Sequence, residues 1–329
     1  MLPYQTLEEA ALALGRNLTL AERLWYNYSA QKSDFLLYSH NALFMIVVFS
    51  LVPLPCAFME LSQSKRMAEF KIQPNIKISF SDMFNCYKHV MKMFAFVLCP
   101  LLFVSFPAIK WVGIHTSLPL PSLWEVSSQL LVYFLIEDYA SYWFHRLLLH
   151  SQWGYDKIHY MHHEYRASFG FTALYTHWAE ILIFGIPTFL GPVMVPCHML
   201  TLYLWTSLRL VEAIDSHNGF EFPWSPTKFI PFYVGAKYHD YHHYVGGQSQ
   251  SNFASVFTYC DFIYGTNKGY RHRKQAHEKI YVDKLILKGL SNMHILTHFV
   301  RFYVASEEVA VNMVEILKDI SSLKGFKRE

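Results

Sequence analysis

Long runs without a charge alternate along this chain with short stretches crowded with polar residues, and the runs set the first expectations. No Asp, Glu, Lys or Arg lies between Phe35 and Met59, a run of 25 residues. As a helix rising about 1.5 Å per residue it exceeds a hydrocarbon core of about 30 Å. Pro53 and Pro55 are expected to end or kink it. A second run, Met93 to Ile109, is just long enough to span, and after the link from Trp111 to Pro121 a return leg is expected from about Leu123 to Phe144. The third run, Ile181 to Leu208, has 28 residues but is interrupted by Pro187, Gly191, Pro192 and Pro196. Two legs entering and leaving on one side fit it better than one straight helix. Residues 4–34 read as one or two short amphipathic helices on a membrane face, and roughly 300–323 as another near the C-terminus.

The pattern predicts an all-α integral membrane protein: a transmembrane helical bundle with a cytosolic helical cap that holds a histidine-rich dimetal site. One cooperative unit is expected, with an N-terminal amphipathic segment 1–34 and transmembrane helices over 35–144. A histidine-rich catalytic region 145–273 follows, including a membrane hairpin at about 181–208, and then a helical tail 274–329. The loop over 62–88 sets Lys65, Arg66, Lys71, Lys77 and Lys88 against Glu69 and Asp82, which makes it cytoplasmic by the positive-inside rule.

Composition narrows the function classes. Charged residues make up 16% of the chain against about 25% in ordinary soluble proteins, which argues against a disordered tail protein or an ordinary cytosolic enzyme. A net charge of +3 with no block of Lys and Arg excludes nucleic acid as the expected partner. The five cysteines are scattered without a Cys-x-x-Cys pair, so neither a disulfide framework nor a thiolate zinc site is expected. No glycine-rich nucleotide fingerprint occurs, so any reductant is expected to act through a separate protein.

Histidine is the anomaly. There are 18, and 11 of them lie from His145 to His243. In order they form HRLLLH (His145, His150), HYMHH (His159, His162, His163) and HDYHH (His239, His242, His243), with His177 and His217 between. On a helix, residues three or four apart share a face, so each triplet can aim its imidazoles into one volume. Ten candidate ligands exceed the four of a mononuclear zinc site, and the count fits two metal ions. Imidazole alone does not choose among zinc, copper, iron and nickel. Asp138, Glu180 and Asp240 are the acids expected to accept the second ring N–H of a ligand and orient it. His40, His89, His115, His198, His272, His277, His294 and His298 are expected to be ordinary structural or interfacial residues.

The spacing of the first pair is unusual. Five steps of about 100° put His150 about 140° around an ideal α-helix from His145, so the helix must end or bend between them, and Trp153 and Gly154 make an end nearby plausible. Deleting Leu147 to restore a three-residue spacing is expected on this ground to leave activity unchanged or raised.

These stretches together resemble the fatty acid hydroxylase superfamily: EDYASYWFHR, WGYDKIHYMHHEY, THWAEILIFGIPTFLGP, VEAIDSHNGF and VGAKYHDYHHYVGGQSQSNF. Within it the chain is most similar to sterol C-4 methyl oxidases, and LGRNLT and VGGQSQSNF look closest to the plant form acting on 4,4-dimethyl sterols. The resemblance covers most of the chain and is strongest over 120–273. It implies a multi-pass monooxygenase of the endoplasmic reticulum membrane with cytosolic histidine boxes and two non-haem Fe ions. Such an enzyme uses O2 and electrons from NAD(P)H through cytochrome b5 or its reductase. The C-4 methyl would pass through alcohol and aldehyde to carboxylate, for a sterol C-4 decarboxylating dehydrogenase to remove. The first histidine box of the family is usually His-x3-His, so the longer spacing here is a departure. Other lipid hydroxylases or desaturases of the superfamily are the alternative, and a metal-binding or transport protein of the membrane is a more distant one. Tyr139, Trp143, Phe169, Phe171, Tyr175, Trp205 and Phe253 are candidate walls of an apolar substrate tunnel.

Overall fold

The computed structural model describes residues 3–245 and 250–276. Among these no β-strand occurs, only isolated bridges. Two short helices, α1 (Leu7–Leu14) and α2 (Leu20–Ser29), open the chain. Thr19 begins α2 with a capping box: its hydroxyl accepts from the Glu22 amide, and the Glu22 carboxylate accepts from the Thr19 amide.

The first uncharged run becomes α3 (Asp34–Leu51), which breaks at Val52 and Pro53 before α4 (Leu54–Ser62). Proline lacks the N–H an uninterrupted helix needs there. After the single turn α5 (Lys65–Ala68), α6 (Phe80–Met93) runs through a π-helical turn, Phe94–Leu98, into α7 (Cys99–Trp111). The stretches Asp34–Ser62 and Phe80–Trp111 are long and apolar enough to cross a membrane, and only 17% and 11% of their most apolar windows are buried within the protein. Helices of a soluble core would be mostly covered; these turn apolar side chains such as Phe58, Phe96, Phe103 and Val104 outward.

The long α8 (Leu123–Trp143) packs along α10 (Trp178–Met194), and α11 (Met199–Ser216) lies against α3. The proline-interrupted run is thus two helices joined by a short link at 195–198. The Trp205 indole donates to the Thr188 carbonyl at 2.9 Å, tying α11 to α10, and the Tyr133 hydroxyl donates to the Val195 carbonyl at 2.5 Å, tying α8 to the link. At Gly191 the contact of α8 with α10 is closest: a Cβ there would stand 2.8 Å from Tyr133 Cδ1 and 3.0 Å from its Cα. Gly191→Val should therefore lower stability by about 1–3 kcal/mol through overpacking, measured as a fall in the unfolding midpoint of the detergent-solubilised protein.

Two apolar cores result. One gathers Trp25, Tyr38, Tyr133, Leu202 and Trp205; the other gathers Phe49, Phe94, Phe171, Leu210 and Ile214. Past the helical bundle, α9 (Gln152–Lys157), the 3-10 turns His159–Glu164, Gly170–Leu174 and Pro226–Phe229, α12 (Gly235–Val245) and α13 (Tyr259–Tyr264) make a polar cap over the ends of α8 and α11. The expected helix over 300–323, with His277, His294 and His298, lies outside the described residues.

Candidate metal centre

The cap brings nine of the ten predicted histidines together in two adjoining groups. His145, His150, His159, His163 and His242 form one, and His162, His217, His239 and His243 form the other; all nine are buried. Each triplet is divided between them. His159 and His163 enter the first group and His162 the second, while His239 and His243 enter the second and His242 the first. The expectation that each triplet serves a single volume is corrected accordingly. The groups touch across the His163 and His243 rings, whose centroids are 4.5 Å apart.

Local backbone explains the placement. After Trp143, α8 widens into a π-helical turn, Phe144–Leu149, and the His150 amide donates to the His145 carbonyl at 2.9 Å. A π turn closes on the fifth residue rather than the fourth, so residues five apart come round to one side; the two rings lie 4.8 Å apart. The unusual spacing thus matches a different helix. Ser151 then caps α9 by accepting from the Gly154 amide at 3.0 Å. A Cβ at Gly154 would fall 1.8 Å from the Leu148 carbonyl oxygen, so only glycine lets the chain fold back this sharply. His159–Glu164 is a 3-10 rather than an α-helical turn, and with three residues per turn His162 eclipses His159, their rings stacked at 5.2 Å. His217 ends α11, and α12 carries the last triplet.

Hydrogen bonds fix the ring tautomers. His145 Nδ1 donates to the Phe253 carbonyl at 2.8 Å, His217 Nδ1 to Ala213 at 2.7 Å and His242 Nδ1 to Ser251 at 2.7 Å. His159 Nδ1 stands 3.0 Å from Glu180 Oε1. A carbonyl only accepts, so His145, His217 and His242 carry the proton on Nδ1 and present a bare lone pair at Nε2. Burial holds His159, His162, His163, His239, His242 and His243 well below the usual histidine pKa, hence neutral, and their mutual proximity adds to this for His159, His163, His239 and His243.

The Nε2 atoms converge within each group. Nε2 of His159 is 3.1 Å from Nε2 of His145 and 3.1 Å from that of His163. In the second group, Nε2 of His217 is 3.2 Å from that of His162 and 3.0 Å from that of His239, which is 3.2 Å from that of His243. His162 and His217 both have Nδ1 on a carbonyl, so their facing Nε2 lone pairs repel in a dry site, and a cation between them turns each into a ligand. Two nitrogens about 2.1 Å from one ion and at right angles lie about 3.0 Å apart, so the spacing is that of adjacent ligands on a shared ion. The donor set fits metal.

Several predicted residues do something else. His177 is not gathered in: it is the N-cap of α10, its Nδ1 accepting from the Ala179 amide at 3.3 Å. Of the three predicted orienting acids, Glu180 alone meets a grouped histidine. Asp138 instead accepts from the amides of Val256 and Phe257 at 2.7 and 3.0 Å, and Asp240 accepts from the Gln73 side chain at 2.9 Å. Asp138 still serves the centre at one remove, because with Asp261, which accepts from the Phe253 and Ala254 amides at 3.0 and 2.9 Å, it holds the loop whose carbonyls orient His145 and His242. The sequence reading missed Asp261, Gln73 and these carbonyl acceptors. Among the described histidines outside the groups, His89 Nε2 meets the Thr176 carbonyl at 3.0 Å and His198 Nδ1 accepts from the Leu200 amide at 3.1 Å, as structural residues do. Glu180→Leu should weaken metal binding at the first group by about 10–100-fold, read by chelator titration.

A cavity of about 580 Å³ opens on the groups. His145, His159, His162, His217 and His239 face it from both groups, and its remaining wall is mostly apolar, drawn from α3, the π turn Phe94–Leu98, α7, α10 and α11. Of the aromatic residues proposed for the tunnel, Phe253 lines it; Tyr139, Trp143, Phe169, Phe171, Tyr175 and Trp205 do not. Their rings pack elsewhere: Trp205, for instance, is wholly buried against Tyr133 and Phe134.

Known proteins are similar over most of the chain. Methylsterol monooxygenase 1-1 of Arabidopsis thaliana is 62% identical over 282 residues, 85% of this chain and 94% of that protein, and the Fatty acid hydroxylase family matches residues 130–266. The chain belongs to the fatty acid hydroxylase family. Methylsterol monooxygenase 1-2 of the same plant is 61% identical over 85% of this chain and 94% of its own. A protein of Oryza sativa subsp. japonica named very-long-chain aldehyde decarbonylase is 59% identical over 85% of this chain and 93% of its own. No solved structure matches. The family match begins within α8 and ends just beyond α13, so it encloses all nine grouped histidines.

Proposed function

We propose that this chain is a methylsterol monooxygenase, a non-haem diiron enzyme that oxidises the C-4 methyl group of 4,4-dimethyl sterols stepwise to the carboxylate. The observation that carries the reading is that both histidine groups look into one apolar cavity. At about 580 Å³ the cavity lies in the range of small-molecule sites, about 300–1,000 Å³. The identity to methylsterol monooxygenases over nearly their whole length supports the same reading.

Iron, unlike zinc, changes oxidation state and with O2 supplies the oxidising power that an unactivated C–H bond requires. The chain's own residues do the rest. His145, His150, His159, His163 and His242 would hold one ion, and His162, His217, His239 and His243 the other. Glu180 and the carbonyls of Phe253, Ser251 and Ala213 keep the ligand rings in their metal-binding tautomer. The cavity wall excludes water and presents one face of a flat apolar substrate to the centre.

The apolar faces of Asp34–Ser62 and Phe80–Trp111 would cross the endoplasmic reticulum membrane, with the histidine cap in the cytosol. There cytochrome b5 or its reductase would deliver electrons from NAD(P)H, and a decarboxylating dehydrogenase would take the acid. The cavity wall includes residues of these membrane-crossing helices, so a lipid-dissolved substrate need not pass through water.

The test is reconstituted protein supplied with iron, O2 and the reductase chain. We expect iron bound in the histidine groups and conversion of a 4,4-dimethyl sterol to its C-4 carboxylic acid. The rice relative's name supports a second reading, chemistry on a very-long-chain aldehyde. Iron-loaded protein that leaves the sterol untouched and consumes such an aldehyde would replace the first reading with the second.

A further inference from the structure

The cavity wall holds one guanidinium. Arg209, on α11, lines it, and although the residue sits inside the protein 17% of its side chain remains accessible, a surface that faces the cavity. A cation in an apolar wall within the bundle is costly unless it is paired, and here it is paired twice. Arg209 Nε donates to Glu137 Oε1 at 2.9 Å and Nη1 donates to Glu212 Oε2, while Nη2 donates to the Ser255 hydroxyl. These partners come from α8, from α11 itself and from the loop that orients His145. A guanidinium has five N–H donors in a fixed plane. Nη1 and Nη2 each keep a second N–H beyond the bonds just named, and the accessible part of the group is on the cavity side.

Its place along α11 matters as much as its chemistry. Arg209, Glu212, Ala213 and Ser216 all line the cavity and follow helical spacing up to His217, a ligand of the second histidine group. The guanidinium therefore lies in the part of the cavity that leads to the metal centre, braced by two carboxylates so that its plane is fixed. If the sole purpose were to join α8 to α11, burying two acids and a base would be a poor device, since apolar residues do that as well or better.

We propose that Arg209 recognises the hydroxyl oxygen of the substrate and so sets which carbon reaches the metal centre. The inference rests on the sterol reading above. A sterol carries its hydroxyl on C-3, the neighbour of C-4, so a donor that grips this oxygen near the centre fixes the C-4 methyl groups one bond further on. The rest of the ring system is apolar and slides freely along an apolar wall; a single polar anchor removes that freedom. Arg209 is thus a positioning residue, and its forked geometry, not its charge alone, does the positioning.

The experiment compares a 4,4-dimethyl sterol with the same compound lacking the 3-hydroxyl, on iron-loaded wild-type protein and on Arg209→Lys and the charge-matched pair Arg209→Gln with Glu212→Gln. A site built to hydrogen-bond a hydroxyl discriminates strongly against the analogue without it, so the wild-type protein is expected to prefer the hydroxylated sterol in kcat/KM by at least about 100-fold. The Gln pair should bind iron and lose the preference. Lys should keep part of it and oxidise less selectively at C-4. Equal turnover of the two compounds by wild-type protein, or an iron-loaded variant that keeps the full preference, overturns the role of Arg209 and leaves the sterol reading standing. Loss of iron from every Arg209 variant makes the residue a brace and also overturns it. Wild-type protein that is iron-loaded and oxidises neither compound overturns the sterol reading itself.

Discussion

If the centre is the proposed diiron site, alanine at His159 should remove at least one ion and lower product formation by more than about 100-fold, beyond the loss typical of removing a residue that only orients a ligand. His159 is the node of the first group: its Nε2 is 3.1 Å from the Nε2 of both His145 and His163, and its Nδ1 is 3.0 Å from Glu180. Without it His145 and His163 lose the neighbour that completes their shared corner, and buried Glu180 loses the ring beside it. Metal analysis and product analysis on the same preparation check the prediction. Full iron content with undiminished turnover would strike His159 from the ligand set.

Deleting Leu147 should leave the first histidine pair on one side of the helix, as the sequence pattern alone led one to expect. Helix α8 is fixed upstream by its packing on α10 and by Asp138, and the chain downstream is fixed by Ser151 and Gly154. The residue that makes the turn Phe144–Leu149 wide enough for the His150 amide to reach the His145 carbonyl is the one the deletion removes. An α turn in its place would set the two histidines four residues and about 40° apart, close to where the wider turn holds them, so the first group should keep both rings. Iron content and turnover should be retained; loss of both would show that the longer turn itself is required. Leu147→Ala is the control: the side chain is 63% exposed, and its truncation should change neither.

The triplets and the two apolar helices were legible because they depend on local period and on runs without charge, which the chain displays openly. The first histidine pair was expected to meet only if the helix ended or bent between the two. It widens instead, and nothing in HRLLLH announces a π turn. His177 was misread because a histidine that caps a helix and one that binds metal look alike in sequence; THWAE contains the signal for both the cap and for Glu180, which reaches His159 from three residues further on. Asp138 and Asp240 are buried acids near the centre, but their partners are backbone amides and Gln73, contacts made across 118 and 167 residues of chain. No pattern within a short window encodes those. Arg209 had a visible mark, since it is the first charge after the 28 uncharged residues ending at Leu208, yet only the cavity gives that charge a use.

The division of each triplet between the two groups has a consequence for how the protein acquires its ions. A turn such as His159–Glu164 cannot settle around one ion without also posing His162 for the other, and α12 is under the same double obligation. Filling one pocket thus prepays the ordering entropy of its neighbour, so partly metallated molecules should be scarce and the population should consist mainly of empty and fully charged protein.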